Sequence, residues 1–269
     1  MIKLIASDLD GTILKNGALE VAPRTLELIK ELRKHGILFA AASGRQYPSI
    51  RSLFLPIKDE IAYIAENGSL SIYQGKVLSK TAIDRSLSLR IIDVLHRLRQ
   101  NDFIVSGEQT LYTESTNPAF TDLLKNDLKT NLRIVKDITK EVDEPFLKIA
   151  FYNYGNMEES LEEINRLFKS EIKIVTAGSR WLDFIAPGTN KGIALSAMLE
   201  HFRITADECI AFGDQYNDIE MLQNAGESYA VSNARAEVIA SAKHTCPPYW
   251  ENGVLQVLKT FLKETTNLF

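Results

Sequence analysis

Apolar positions in the first 80 residues come in short continuous runs, each followed by a polar cluster. Lys3 to Ser7 carries the first run and reads as a buried strand. A helix is predicted from Pro23 to His35, with Leu26, Leu28, Ile29 and Leu32 on its apolar face. Pro23 suits the first turn of that helix and Gly36 closes it. Ile37 to Ala42 is apolar throughout, as a central parallel strand covered on both faces requires. A short helix near Pro48 to Phe54 and a strand over Ala62 to Ala65 complete the alternation. Gln74-Gly75 then reads as a hairpin turn, setting Ile72 and Tyr73 against Val77 and Leu78.

From about Thr81 the pattern changes. A helix is expected from Asp84 to Arg99, strands over Phe103–Val105 and Leu111–Thr113, and a helix near Pro118 to Leu128. Further strands are expected over Arg133–Val135, Phe146–Tyr152, Ile172–Thr176 and Trp181–Ile185, with a helix at Glu158–Phe168 among them. Adjacent strands of this kind indicate an α+β unit with a partly antiparallel sheet. Pro187-Gly188 marks the exit. Strand–helix alternation then resumes with a helix over Lys191–Phe202, a strand over Cys209–Phe212 and a helix over Asp218–Asn224. A strand over Tyr229–Val231 and a helix over Val254–Lys263 end it. The predicted fold is α/β: a doubly wound parallel sheet built from residues 1–80 plus 187–269, with a smaller α+β domain inserted at 81–186.

The polar clusters fall where chemistry is expected. In an open parallel sheet, ligands sit at the carboxyl ends of the strands. There the chain places Asp8 and Asp10, then Ser43-Gly44, then Asn67-Gly68, then Asp214, Asn217 and Asp218, while Lys191 opens a helix. Taken alone, each is a common turn or cap pattern. Asp8-Leu9-Asp10-Gly11-Thr12 is different. Two carboxylates ~4 Å apart repel by about 4 kcal/mol at an effective dielectric of 20, and a hard divalent cation is the natural compensation. A carboxylate can also attack phosphorus.

Composition narrows the classes. Of 269 residues, 45% are hydrophobic and 25% charged, which suits a chain with a real core. A net charge of −4 argues against a nucleic-acid surface. The chain shows no long apolar run for a membrane span and no signal-peptide pattern at its start. Cys209 and Cys246 are too few for a disulfide framework and read as buried thiols in a reducing cytoplasm. His35, His96, His201 and His244 lack metal-ligand spacing. A monomer is the default expectation.

The motif set Asp8-Leu9-Asp10-Gly11-Thr12, Ser43-Gly44-Arg45, Lys191 and Gly213-Asp214-Gln215-Tyr216-Asn217-Asp218 resembles the haloacid dehalogenase superfamily, in its Cof-like phosphatase branch with a C2-type cap. Glu66-Asn67-Gly68 and Asn252-Gly253-Val254 look like that branch too. The resemblance implies a Mg²⁺-dependent phosphatase acting on small phosphorylated metabolites through an aspartyl phosphate. Asp8 would be the nucleophile and Asp10 the general acid and base. Asp8, the Asp10 main-chain carbonyl and Asp214 would hold Mg²⁺, with Asp218 behind them. The Leu9 and Gly44 amides, Ser43, Lys191 and Asn217 would bind phosphate. Arg45 is open between a substrate contact and an outward ion pair. The inserted domain would be a cap that reads the leaving group, with Arg180 and Trp181 visible there but unassigned. A phosphotransferase or mutase on the same machinery stays open, as does a phosphometabolite-binding module without turnover. Dehalogenase chemistry needs neither Asp10 nor Mg²⁺, and Gly188 to Lys191 lacks P-loop spacing.

Overall fold

The structure, a computed structural model, describes residues 1–15, 17–98, 101–177 and 180–266. In chain order it contains β1 (Leu4–Asp8), α1 (Pro23–Lys34), β2 (Leu38–Ala42), α2 (Tyr47–Leu53), β3 (Ala62–Ala65), β4 (Leu70–Tyr73) and β5 (Lys76–Lys80). Next come α3 (Arg85–Arg97), β6 (Asn101–Ser106), β7 (Leu111–Thr113), α4 (Pro118–Asp122), β8 (Leu132–Ile134), α5 (Ile138–Glu141), β9 (Lys148–Asn153), α6 (Met157–Phe168), β10 (Lys173–Ala177) and β11 (Trp181–Ile185). The remainder is α7 (Lys191–Phe202), β12 (Cys209–Gly213), α8 (Ile219–Asn224), β13 (Glu227–Val231), α9 (Ala236–Ser241), β14 (His244–Cys246) and α10 (Gly253–Thr266). Arg99, the expected end of α3, lies outside the described residues.

Two compact units result: Met1–Arg45 with Ile50–Ser79 and the chain from Asn190 onward, and Gln46–Ser49 with Lys80–Thr189. The first holds an eight-stranded sheet in the order β14-β13-β12-β1-β2-β3-β4-β5. Pairing is parallel from β14 to β3, and β4 joins antiparallel. Every residue of β1 and β2 is buried, which demands cover on both faces of the sheet. Leu4, Ala6, Ala40 and Ile64 of the sheet pack with Leu195 and Met198 of α7 and Met221 of α8. The β4–β5 turn uses Gln74 and Gly75 at φ 49 and 75, the left-handed pair a two-residue hairpin prefers.

Register is what positions the site. Asp8 lies level with Ala42, Ala42 with Ile64, and Ser7 with Phe212. The residues that follow these partners, Ser43, Glu66-Asn67 and Asp214, therefore leave the sheet at one end beside Asp8.

The second unit is a six-stranded sheet, β10-β11-β9-β6-β7-β8, antiparallel except for β7–β8. One face carries Phe103, Val105, Ile149, Phe151, Leu182 and Phe184 in a cluster with Ile91 of α3 and Ile164 of α6. On the other, Phe120 packs with Ile104 and Ala150. Trp181 stands 4.8 Å from Tyr152 in an edge-to-face pair, and Arg180 Nη1 donates to the Tyr152 hydroxyl at 3.1 Å.

Candidate active site

Asp8 ends β1 almost fully buried. The chain then folds back tightly: the Leu9 carbonyl accepts from the amides of Thr12, Ile13 and Leu14 at 3.2, 3.0 and 2.8 Å, and Gly11 takes φ 87. This turn keeps Leu9 in the core and swings Asp10 outward.

The Asp10 carboxylate is partly exposed, unlike the buried carboxylate of Asp8. Arg45 grips it with two prongs, Nε to Oδ2 at 2.7 Å and Nη2 to Oδ1 at 2.5 Å, while the Gly17 amide donates to Oδ1 at 2.9 Å. Arg45 Nη1 also donates to the Ala18 carbonyl at 2.9 Å. Arg45, which the sequence leaves open between a substrate contact and an outward ion pair, makes an ion pair with Asp10 in this structure.

Asn190 caps α7, its Oδ1 accepting from the Ile193 amide at 2.7 Å, and sets Lys191 at the first helical position. The Lys191 side chain is fully buried, with Nζ donating to Asp8 Oδ1 at 2.5 Å and Asp218 Oδ1 at 2.6 Å. Asp218 Oδ2 accepts from the amides of Asp214 and Gln215 at 3.0 and 2.9 Å, so both its oxygens are engaged. Asp214 Oδ1 accepts from the Thr12 hydroxyl at 2.9 Å and Oδ2 from Gln215 Nε2 at 2.8 Å. Arg235 Nε donates to Gln215 Oε1 at 3.1 Å, which fixes which end of that amide meets Asp214.

Asp8, Asp214 and Asp218 each offer an oxygen within 4.8 Å of the other two. Burial pushes the Asp8 carboxyl well above the ordinary range, and Asp218 and Asp214 push it further while Lys191 opposes. Burial also raises Asp214, again helped by Asp218 and opposed by Gln215 and Thr12. Burial works against the Lys191 ammonium, yet Asp218 and Asp8 carry it above its usual value. Three carboxylates against one ammonium leave two negative charges, the charge of one divalent cation. Asp8 Oδ2 is buried with no hydrogen-bond partner among the described residues. An orphaned carboxylate oxygen beside Asp214 is where a hard cation fits. The cluster contains Asp218, assigned by resemblance to a supporting place, and not the Asp10 side chain.

The other expected site residues sit at the same sheet end. Ser43 is buried, and its Oγ accepts from the Arg45 amide at 3.1 Å. Gly44 follows it, and α2 begins at Tyr47. Asn217 Nδ2 donates to Asn67 Oδ1 at 2.8 Å. Sequence reasoning gave no role to Gln215, Arg235 or Asn233. Asn233 Nδ2 donates to the Gly11 carbonyl at 2.8 Å and its Oδ1 accepts from the Tyr249 amide at 3.1 Å, bracing the turn after Asp8. No spacing rule links residues 11 and 233; only the fold does.

The parallel sheet thus carries a buried carboxylate–lysine cluster at its carboxyl end. The haloacid dehalogenase-like hydrolase family model matches residues 5–258. The chain belongs to that family, in its Cof-like phosphatase branch, and it is an enzyme of the phosphatase type. It is similar to the 5-amino-6-(5-phospho-D-ribitylamino)uracil phosphatase YbjI of Escherichia coli K12, 31% identical over 271 residues covering 97% of each protein. Among solved structures, one from Eubacterium rectale shares 38% identity over 97% of this chain and 99% of that one, with a TM-score of 0.89. SMU.1108c from Streptococcus mutans UA159 shares 28% identity over 98% and 100%, with a TM-score of 0.83. No described helix is long and apolar enough to cross a membrane.

Proposed function

We propose that this chain is a Mg²⁺-dependent phosphatase that hydrolyses small phosphomonoesters through a phosphate ester of Asp8. The observation that carries the reading is the buried Asp8 carboxylate, with one oxygen on Lys191 and the other orphaned. Asp8 Oδ2, Asp214 and the Asp10 main-chain carbonyl would hold the metal. When bound, Mg²⁺ supplies positive charge to phosphate oxygens and to the ionised Asp8.

The protein's own groups do the rest. An Asp8 oxygen forms a bond to phosphorus as the ester P–O bond breaks, and Asp10 gives a proton to the departing alkoxide. Asp10 then takes a proton from water, whose oxygen bonds to phosphorus as the bond to Asp8 breaks. Asp10 must release part of the Arg45 grip to carry that proton. Lys191, the Ser43 hydroxyl, the Leu9 and Gly44 amides and Asn217 neutralise and orient the phosphoryl group, which is most of what phosphoryl transfer requires.

The named activity of the Escherichia coli relative places phosphate on a ribityl chain, so phosphorylated polyols and sugars are the first compounds to assay. Cys209 and Cys246 are free and buried, which supports a cytoplasmic setting. The direct test is p-nitrophenyl phosphate hydrolysis. The reading expects turnover with Mg²⁺, loss with EDTA, and loss of about 10⁴-fold or more in Asp8→Asn. Metal-independent turnover, or an active Asp8→Asn enzyme, refutes it.

A further inference from the structure

Glu66, Asn67 and Gly68 are three successive residues in the left-handed region, at φ 51, 56 and 99. Two of them carry side chains, for which that backbone is unfavourable, and both are buried. Such strain persists only where surroundings over-determine it, and it gathers at functional sites.

The surroundings here are the phosphate-binding elements themselves. The Glu66 amide donates to the Arg45 carbonyl at 3.0 Å and the Asn67 amide to the Ser43 carbonyl at 3.1 Å, clasping the turn onto the Ser43–Arg45 loop. The Asn67 side chain lies over Gly44: a Cβ there would stand 2.9 Å from Asn67 Oδ1 and 3.2 Å from Nδ2. A Cβ on Gly68 would overlap the Asn190 carbonyl and stand 3.0 Å from the Lys191 amide nitrogen. Asn67 Oδ1 accepts from Asn217 Nδ2 at 2.8 Å. One turn thus touches the Ser43–Arg45 loop, the start of α7 and Asn217.

We propose that Asn67 is a positioning residue for phosphate recognition, acting through Asn217. An asparagine amide is nearly symmetric in shape, so its neighbours decide which end meets an anion. Asn67 Oδ1 engages one N–H of Asn217 Nδ2 and leaves the second to donate to a phosphate oxygen. Without that acceptor, Asn217 is free to present its oxygen, which phosphate repels. The inference rests on the reading that Asn217 contacts phosphate.

The alternative is that asparagine stands at 67 only because it tolerates the left-handed backbone. Glycine tolerates it better, so Asn67→Gly separates the two. The experiment compares wild type, Asn67→Gly, Asn217→Ala and the double variant. Its readouts are KM and kcat with p-nitrophenyl phosphate and the rise in Tm caused by inorganic phosphate, which reports binding without turnover. Positioning predicts that Asn67→Gly raises KM about tenfold with a smaller change in kcat, and that it largely loses the phosphate-induced rise measured from its own phosphate-free Tm. It also predicts that Asn67→Gly adds nothing on the Asn217→Ala background. Unchanged phosphate binding in Asn67→Gly, or losses that multiply in the double variant, overturns the role of Asn67. Unchanged phosphate binding in Asn217→Ala removes the contact at 217 and this inference with it, while the Asp8 test of the phosphatase reading stands separately.

Discussion

Lys191 Nζ lies 2.5 Å from Asp8 Oδ1, although 183 residues separate them in the chain. The same ammonium reaches Asp218 Oδ1 at 2.6 Å, and none of its side chain meets solvent. Burying such charges costs several kcal/mol each, so apolar packing would give a more stable fold. What the arrangement supplies instead is a carboxylate held on one oxygen and open on the other. The eight-stranded sheet makes it affordable by aligning β1 and β12 at one end and bringing α7 over them.

Removing the ammonium should expose this cost. Lys191→Ala leaves Asp8 and Asp218 buried without their partner, and a broken buried pair costs about 3–5 kcal/mol. Urea unfolding in EDTA should show a loss of that order, with Mg²⁺ restoring part of it. Wild-type stability in the variant would mean that the charges are not coupled as described.

Stability of the metal-free protein should depend on pH with a definite sign. Asp8 and Asp214 are raised in the folded state, chiefly by burial and then by Asp218. A carboxyl raised on folding favours the fold below the unfolded value of about 3.9 and loses that contribution as pH rises through the folded value. In EDTA, the Tm contribution of the site should therefore decline as pH climbs from about 4. Asp183, buried beside Lys148, is raised too and adds the same trend in either condition. Mg²⁺ selects the ionised carboxylates, so the gain in Tm on adding it should grow with pH. A gain that shrinks as pH rises over that span would contradict the cluster as the metal site.

The Arg235–Gln215–Asp214 chain predicts a metal-affinity effect away from the reacting atoms. Gln215→Ala removes the donor to Asp214 Oδ2 and the acceptor of Arg235. Partners that orient a metal ligand are typically worth 10–100-fold in affinity. Titration calorimetry should show Mg²⁺ binding weakened by about tenfold or more, with near-normal kcat at saturating metal. Unaltered Mg²⁺ affinity would reduce Gln215 to a surface cap.

Much of this architecture can be read from the chain because its central strands are short apolar runs ending in polar clusters. β1, β2, β3 and β12 announce themselves that way, and parallel register then gathers their ends. A helix with a clean apolar stripe, such as α1, which buries Leu28, Ile29 and Leu32, is equally plain. α5, α9 and β14 are not: α5 has four residues, α9 six, and β14 three with only Cys246 buried. Such elements exist through their neighbours, β14 by pairing with β13. The motif residues are visible as types and spacings. Which oxygen Lys191 takes, where Arg45 turns, and that Asn67 meets Asn217 across 150 residues depend on the fold. Glu66-Asn67-Gly68 is legible as a motif, but its left-handed backbone is not.

The central claim is a covalent bond between Asp8 and phosphorus. Acid quench of the enzyme with Mg²⁺ and a phosphomonoester, followed by peptide mass spectrometry, tests it most directly. The account predicts phosphate on the peptide carrying Asp8, absent in Asp8→Asn and in EDTA. Turnover with no adduct at Asp8 under any quench, or an adduct on another side chain, would contradict it.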